Sequence, residues 1–178
     1  DFPFTGLDSK GRANGEFIVK GSIANGKLNF LPGVYAKDGV APFWPVIDSI
    51  KGSFVFEKSR MEIRAESALT NQVPLNKVVA VIPDLASHEA VLQIDGNATG
   101  NLQAMFGYVK ASPVDEWLGQ FLHDATGSGN AQLGLKLFLP LRNIIDSKVN
   151  GVLQLNGNES QLQTSLPQIS GITGRLEF

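Results

Sequence analysis

Cysteine is absent, so disulfide frameworks and thiolate metal sites are excluded. Only two histidines, His88 and His123, are available for acid–base or metal chemistry. No apolar run approaches the roughly 20 residues that a membrane-crossing helix needs. Nor is there a block of like charge. Fifteen Lys and Arg face 17 Asp and Glu for a net charge of -2, and the basic residues are scattered singly. That excludes the electrostatic footprint of a nucleic-acid binder and a polybasic attachment to anionic lipid. What remains is apolar material. A content of 43% hydrophobic and 18% charged residues suffices for a sizeable core and carries too little charge for a disordered chain. The 178 residues suit one domain or one module of a longer array. The chain begins at Asp1 rather than Met and shows no signal peptide, and its strand pattern runs to Phe178. The expectation is a segment of a longer protein.

Period-2 alternation dominates. Phe17, Val19 and Ile23 alternate with Glu16, Lys20 and Ser22, and Asn25-Gly26 then predicts a tight turn, with Leu28 and Phe30 on a return strand. Ile50, Phe54 and Phe56 alternate with Lys51, Ser53 and Glu57, and Met61, Ile63 and Ala65 with Glu62, Arg64 and Glu66. Strands around 75–82 and 89–96 follow. Leu133, Leu135, Leu137 and Leu139 alternate with Gln132, Gly134, Lys136 and Phe138; Val149, Leu153 and Leu155 repeat the pattern, and Ile172, Leu176 and Phe178 close it. Strands with one polar and one apolar side belong in an antiparallel sheet wet on one face.

One stretch has helical spacing instead. Leu102, Met105, Phe106 and Val109 fall at i, i+3, i+4 and i+7, and Val114, Trp117, Leu118 and Phe121 repeat that stripe. Ser112-Pro113 between them reads as an N-cap with Pro at the first helical position, and Asp115 and Glu116 suit the first turn. Helices this short are marginal alone and must dock, and the sheet is the expected partner. Segment 31–46, bracketed by Leu31-Pro32-Gly33 and Pro42-Phe43-Trp44-Pro45, reads as a loop carrying Tyr35, Phe43 and Trp44. The expected fold is mainly β with a small helix pair at about 101–123: a curved antiparallel sheet, α+β in the broad sense.

The chain also resembles itself. Pro45-x-Ile47-x-x-Ile50-x-Gly52-x-Phe54-x-Phe56 matches Pro167-x-Ile169-x-x-Ile172-x-Gly174-x-Leu176-x-Phe178 without a gap. Upstream, Gly15-x-Phe17-x-Val19-x-Gly21 matches Gly151-x-Leu153-x-Leu155-x-Gly157. Gly15 and Pro45 are 30 residues apart, and Gly151 and Pro167 are 16 apart, so the first copy carries 14 more residues, which loop 31–46 supplies. The expected organisation is a remnant of a preceding segment at 1–14, one repeat unit at 15–150, and the start of the next at 151–178. Such units add strands edge to edge.

Catalytic constellations are weak. His88 stands beside Glu89 in a polar connection, and His123-Asp124 ends the second helical stripe, where a cationic His suits the dipole. No nucleophile-elbow motif accompanies them. Asp115 and Glu116 are helix neighbours that point apart, unlike a general acid/base pair. Gly127-Ser-Gly129 lacks the Lys and spacing of a phosphate loop and suits a helix-to-strand exit. Asn97-Ala-Thr99 and Asn158-Glu-Ser160 match glycosylation acceptors, but triplets this short are common, and were the source bacterial they would be coincidence. No catalytic residue, cofactor or metal is expected.

Several pieces in order carry a family likeness. Ile50-Lys-Gly-Ser-Phe54 precedes Met61-Glu-Ile-Arg-Ala-Glu66 and Val81-Ile-Pro83-Asp84-Leu85. Ala111-Ser112-Pro113-Val114 precedes Trp117-Leu118-Gly119, and Gly127-x-Gly129-x-Ala-x-Leu133-x-Leu135-x-Leu137-x-Leu139-Pro140-Leu141 follows. From about residue 15 to 178 the chain resembles the AsmA-like superfamily, most closely the YhdP-type proteins of Gram-negative bacteria. The resemblance implies a non-catalytic segment of a periplasm-spanning protein anchored in the inner membrane by a segment outside this sequence. It also implies an elongated, curved β-groove (a repeating one) that binds or conducts phospholipid between the inner and outer membranes. Partners would be phospholipid or another acyl-chain lipid, neighbouring repeat units, and other envelope proteins.

With that frame the apolar faces become candidate lipid contacts. They are Phe17, Val19, Phe54, Phe56 and Ile63 on the early strands and Leu133, Leu135, Leu137, Leu153 and Leu155 on the later ones. Acyl chains suit such a face because apolar burial needs no directional partner. The stripes Leu102, Met105, Phe106 and Val109, then Trp117, Leu118 and Phe121, form a candidate helical lid. They would otherwise pack on the sheet as ordinary core or touch a membrane surface. Two alternatives stand beside this reading. One is a structural envelope spacer or protein scaffold with a fully covered core. The other is a carbohydrate-binding β module using Trp44, Tyr35 and Phe43.

Overall fold

A computed structural model describes residues 17–29, 32–143 and 146–178. The proposed remnant 1–14, the Gly15 and Glu16 positions, Phe30 and Leu31 lie outside the described residues. In chain order the elements are β1 (Ile18–Leu28), β2 (Ile47–Glu57), β3 (Arg60–Thr70), β4 (Val73–Ile82) and β5 (Val91–Asn101), then α1 (Leu102–Lys110) and α2 (Val114–Trp117). β6 (Thr126–Ser128), β7 (Asn130–Pro140), β8 (Lys148–Gln161) and β9 (Ile169–Glu177) complete the chain. All nine strands join one open antiparallel sheet in the order β1-β2-β3-β4-β5-β7-β8-β6, with β9 on the other side of β8. The mainly β expectation with a helical excursion is met.

Register places the apolar alternation of successive strands on one face. Val19 stands opposite Phe56, Phe56 opposite Met61, and Met61 opposite Ile82. Further along, Ile94 pairs with Leu137 and Leu137 with Val149, while Leu133 pairs with Leu153 and Leu153 with Leu176. The other face is polar. Glu62 there accepts from Arg64 at 2.5 Å and also from Arg60, and Lys136 lies 3.5 Å from Asp95. Among the described residues no second sheet packs on the apolar face.

Three places depart from the expected reading. Asn25-Gly26 is not a turn. β1 runs through it to Leu28, with Asn25 at φ 55° and register shifts on either side of Gly26. The left-handed preference of Asn and Gly serves a bulge here as readily as a hairpin. The second helix ends at Trp117, because Gly119 (φ 60°) and Gln120 (φ 61°) turn left-handed and leave only a four-residue α2. Ser112 does not cap it, since its hydroxyl donates back to the Val109 carbonyl. By contrast α1 has a side-chain cap in Asn101, whose Oδ1 accepts from the Gln103 and Ala104 amides.

Bulges bend the sheet. Left-handed residues interrupt β1 at Asn25, β2 at Ser49, β4 at Lys77, β8 at Gly157 and β9 at Gly171. Each bulge bends its strand and increases the twist. Ser49 and Gly171 occupy the same position in the two copies of the repeated motif, so the copies share a backbone kink as well as a side-chain pattern. The pairing registers differ, however. The Phe54 ring lies over Gly21, but the Phe178 ring lies over Gly151, which is not the counterpart of Gly21 in the repeat.

β6 continues the line of β7 along β8, broken at Gly129 (φ 82°). Asn158, fully buried, stitches this break. Its Nδ2 donates to the Ser128 and Asn130 carbonyls at 2.9 and 3.1 Å, and its Oδ1 accepts from the Asn156 amide at 2.8 Å. The glycosylation triplet beginning there is therefore closed to modification in the folded chain. Asn158→Ala would remove the side-chain partner of three backbone groups. The expected cost is about 2–4 kcal/mol, from ~1 kcal/mol or more for each group lost, read as a lowered midpoint in urea denaturation.

Candidate functional site: an apolar cavity on one sheet face

The helical excursion covers one end of the apolar face. α1 lies against β4, β5 and β6, and its stripe residues Leu102, Met105 and Phe106 are buried with Val73, Ala98 and Ala131. A second cluster, Ile50, Ala65 and Ala68, sits where β2 and β3 bend. At the opposite end of β5 and β7, Leu92, Leu139 and Ile82 form a third. Between the clusters the face is not filled by protein. A cavity of about 570 Å³ opens there.

Its floor and walls come from several strands. Leu133, Leu135 and Leu137 of β7 and Leu153 and Leu155 of β8 border it. From the helical segment Leu102, Met105, Phe106, Val109, Leu118 and Phe121 border it too. Phe17, Val19, Phe54, Phe56 and Ile63 do not. Val19, Phe54, Phe56 and Ile63 lie on the same face beyond the bulges, where Phe54 and Phe56 meet edge-on at 5.8 Å. The strand ends on the near side of the bulges, Ile47, Thr70, Val73 and Leu75, reach the cavity instead. Val73, Leu75 and Val78 of β4 were missed because the Lys77 bulge shifts the alternation partway along that strand. Tyr108 was missed as well, although it stands three residues after Met105 on the same helical stripe.

Among the described residues that line the cavity there is not one Asp, Glu, Lys, Arg or His. The rim is exposed hydrocarbon. Leu118, Phe121, Ile169, Leu176 and Phe178 border the cavity and still face solvent. An engineered apolar cavity of ~150 Å³ stays dry and takes up benzene, so a hollow of this size and lining suits a chain-like apolar guest.

Trp117 does not border the cavity. It meets Trp44 edge-on, with ring centroids 5.6 Å apart. Trp44 is 2% exposed, so the aromatic platform expected of a carbohydrate module is not formed. Loop 32–46 instead clasps the helical segment, and Lys37 adds an ion pair to Glu116 at 2.6 Å that raises the lysine pKa. Asp115 is buried, and its Oδ2 accepts from His123 Nδ1 at 2.7 Å, closing the turn after α2. That pairing replaces the expected helix-end role of His123. Among the described residues no serine bonds to His123, and no group of acidic residues and histidines could hold a metal ion. His88 lies on the surface beside Arg142.

A single open sheet with one half-covered hydrocarbon face defines a β-groove protein rather than a sandwich or a closed barrel. The chain belongs to the YhdP family, and the match to the family described as YhdP protein spans residues 1–178. This is an envelope-associated family of the AsmA-like type, generally non-enzymatic. No curated protein and no solved structure matches the chain. Among the described residues no helix is long and apolar enough to cross a membrane.

The clasp is testable. Trp44→Ala should destabilise the chain by roughly 3–5 kcal/mol, the usual cost of truncating a buried aromatic. It should also shift Trp117 emission to the red. Trp44→Phe should retain most of the stability in the same urea titration.

Proposed function

We propose that the cavity holds the acyl chains of phospholipid, and that the chain forms part of a periplasmic groove conducting lipid between the inner and outer membranes. One observation carries the reading. A 570 Å³ hollow, floored by one face of a single sheet, has no charged residue in its lining. Burying apolar surface is favourable at ~25 cal/mol per Å² and requires no partner geometry. A charged headgroup placed in the same lining would lose its hydration without compensation. Tails inside and headgroup at the exposed rim satisfy both conditions. The helical segment 102–125 then acts as a lid over one end.

The edges extend the proposal. β1 and β9 each have one strand neighbour among the described residues, and the repeated motif places related sequences at both edges. Neighbouring units of a longer chain would pair there and continue the groove. A spacer with a fully covered core would leave no such hollow.

A photoreactive amino acid replacing Leu135 should crosslink phospholipid from vesicles, whereas the same residue replacing Phe138, on the opposite face of β7, should not. Equal yields at the two positions, or none at Leu135, would refute the reading. Leu135→Trp should reduce capture at least fivefold, because the indole occupies space the ligand needs. Its stability change should stay below ~1 kcal/mol, since the larger side chain enters a void rather than a packed core.

A further inference from the structure

Four polar residues interrupt the hydrocarbon lining: Thr70, Asn97, Ser160 and Tyr108. Three of them are accounted for by the fold. The Thr70 hydroxyl donates to the Val46 carbonyl and the Ser160 hydroxyl to the Thr126 carbonyl, each at 3.1 Å. Asn97 is exposed on the outer side of β5 between Gly96 and Ala98, both buried on the apolar side. Tyr108 differs. It is half-buried against the cluster of Val73, Leu102, Met105 and Phe106, yet its hydroxyl has no hydrogen-bond partner among the described residues. The hydroxyl is reachable rather than sealed in protein.

A phenol in such surroundings has no protein acceptor among the described residues, so water or a ligand must supply one. Burial pushes its pKa up to about 12, so it stays protonated and remains a donor at every working pH. We infer that the Tyr108 hydroxyl donates a hydrogen bond to the carbonyl oxygen at the head of an acyl chain lying in the cavity. Through it the site distinguishes an acyl lipid from plain hydrocarbon. This rests on the lipid reading of the cavity and adds the feature of the ligand that is recognised. Tyr108 is then the specificity-determining residue of an otherwise non-directional site, on the helical side of the hollow whose exposed rim holds Leu118 and Phe121.

Displacement of a bound fluorescent hydrocarbon probe by dodecane, methyl laurate and laurate tests it, comparing the chain with its Tyr108→Phe variant. The ring is retained, so the urea midpoint should hold. Methyl laurate should weaken by roughly three- to tenfold, the span of one neutral hydrogen bond, and laurate by at least as much because its carboxylate is a charged acceptor, with dodecane unchanged. A loss confined to laurate would identify a free carboxylate as the source of the acceptor, and a loss on both an ester carbonyl as well. Equal affinity of all three ligands for both forms, or an equal loss on dodecane, would overturn the inference while leaving the lipid reading in place. Failure of all three to displace the probe from the unaltered chain would overturn both.

Discussion

The structure depends on one unsatisfied constraint: a single β-sheet presents a hydrocarbon face that, among the described residues, no second sheet covers. Antiparallel sheets normally bury that face against another layer. Here the cover is partial. α1 and the segment after it shield one end, a cluster around Leu139 closes the other, and the leucines of β7 and β8 are left half-buried between them. Curvature supplies the rest. The bulges at Asn25, Ser49 and Lys77 on one flank, and at Gly157 and Gly171 on the other, turn a flat face into a hollow.

The helical segment is held in place mainly by parts of the chain that strand periodicity leaves unexplained. Loop 32–46 lies where the first motif copy carries its 14 additional residues, and it brings Trp44 and Lys37 to the short helix α2. The Asp115–His123 contact fixes the turn that follows. That buried carboxylate and its histidine thus serve as internal bracing of the helical segment. The same segment contributes Leu118 and Phe121 to the exposed rim.

Much of this was legible in the residues. The alternation of Leu133, Leu135 and Leu137 against Gln132, Gly134 and Lys136 fixes the face of β7, and the Leu102–Val109 stripe fixes α1, because period and side-chain direction are set by backbone geometry. The bulges were not legible. Asn25-Gly26 has the residues of a hairpin turn, and only the pairing of β1 with β2 decides that the strand continues. Lys77 carries no signal for a left-handed conformation, so the face of β4 could not be assigned past it. That is why Phe54, Phe56 and Ile63 were grouped with the β7 leucines although the bend separates them. Trp117 was misplaced for a related reason. Its spacing fits the helical stripe, but a long-range contact with Trp44 draws it away from the cavity. Tyr108 shows a third kind of gap: sequence places it on the stripe, and only the cavity shows that its hydroxyl lacks a partner.

The central claim is that protein leaves this hydrocarbon face for lipid to cover. Native mass spectrometry of the chain purified without detergent and then exposed to phospholipid vesicles tests it most directly. The account predicts a bound phospholipid at defined stoichiometry, released when the hollow is filled by substitution at Leu135 or Leu153. A chain that stays folded and emerges without lipid under the same conditions would contradict it.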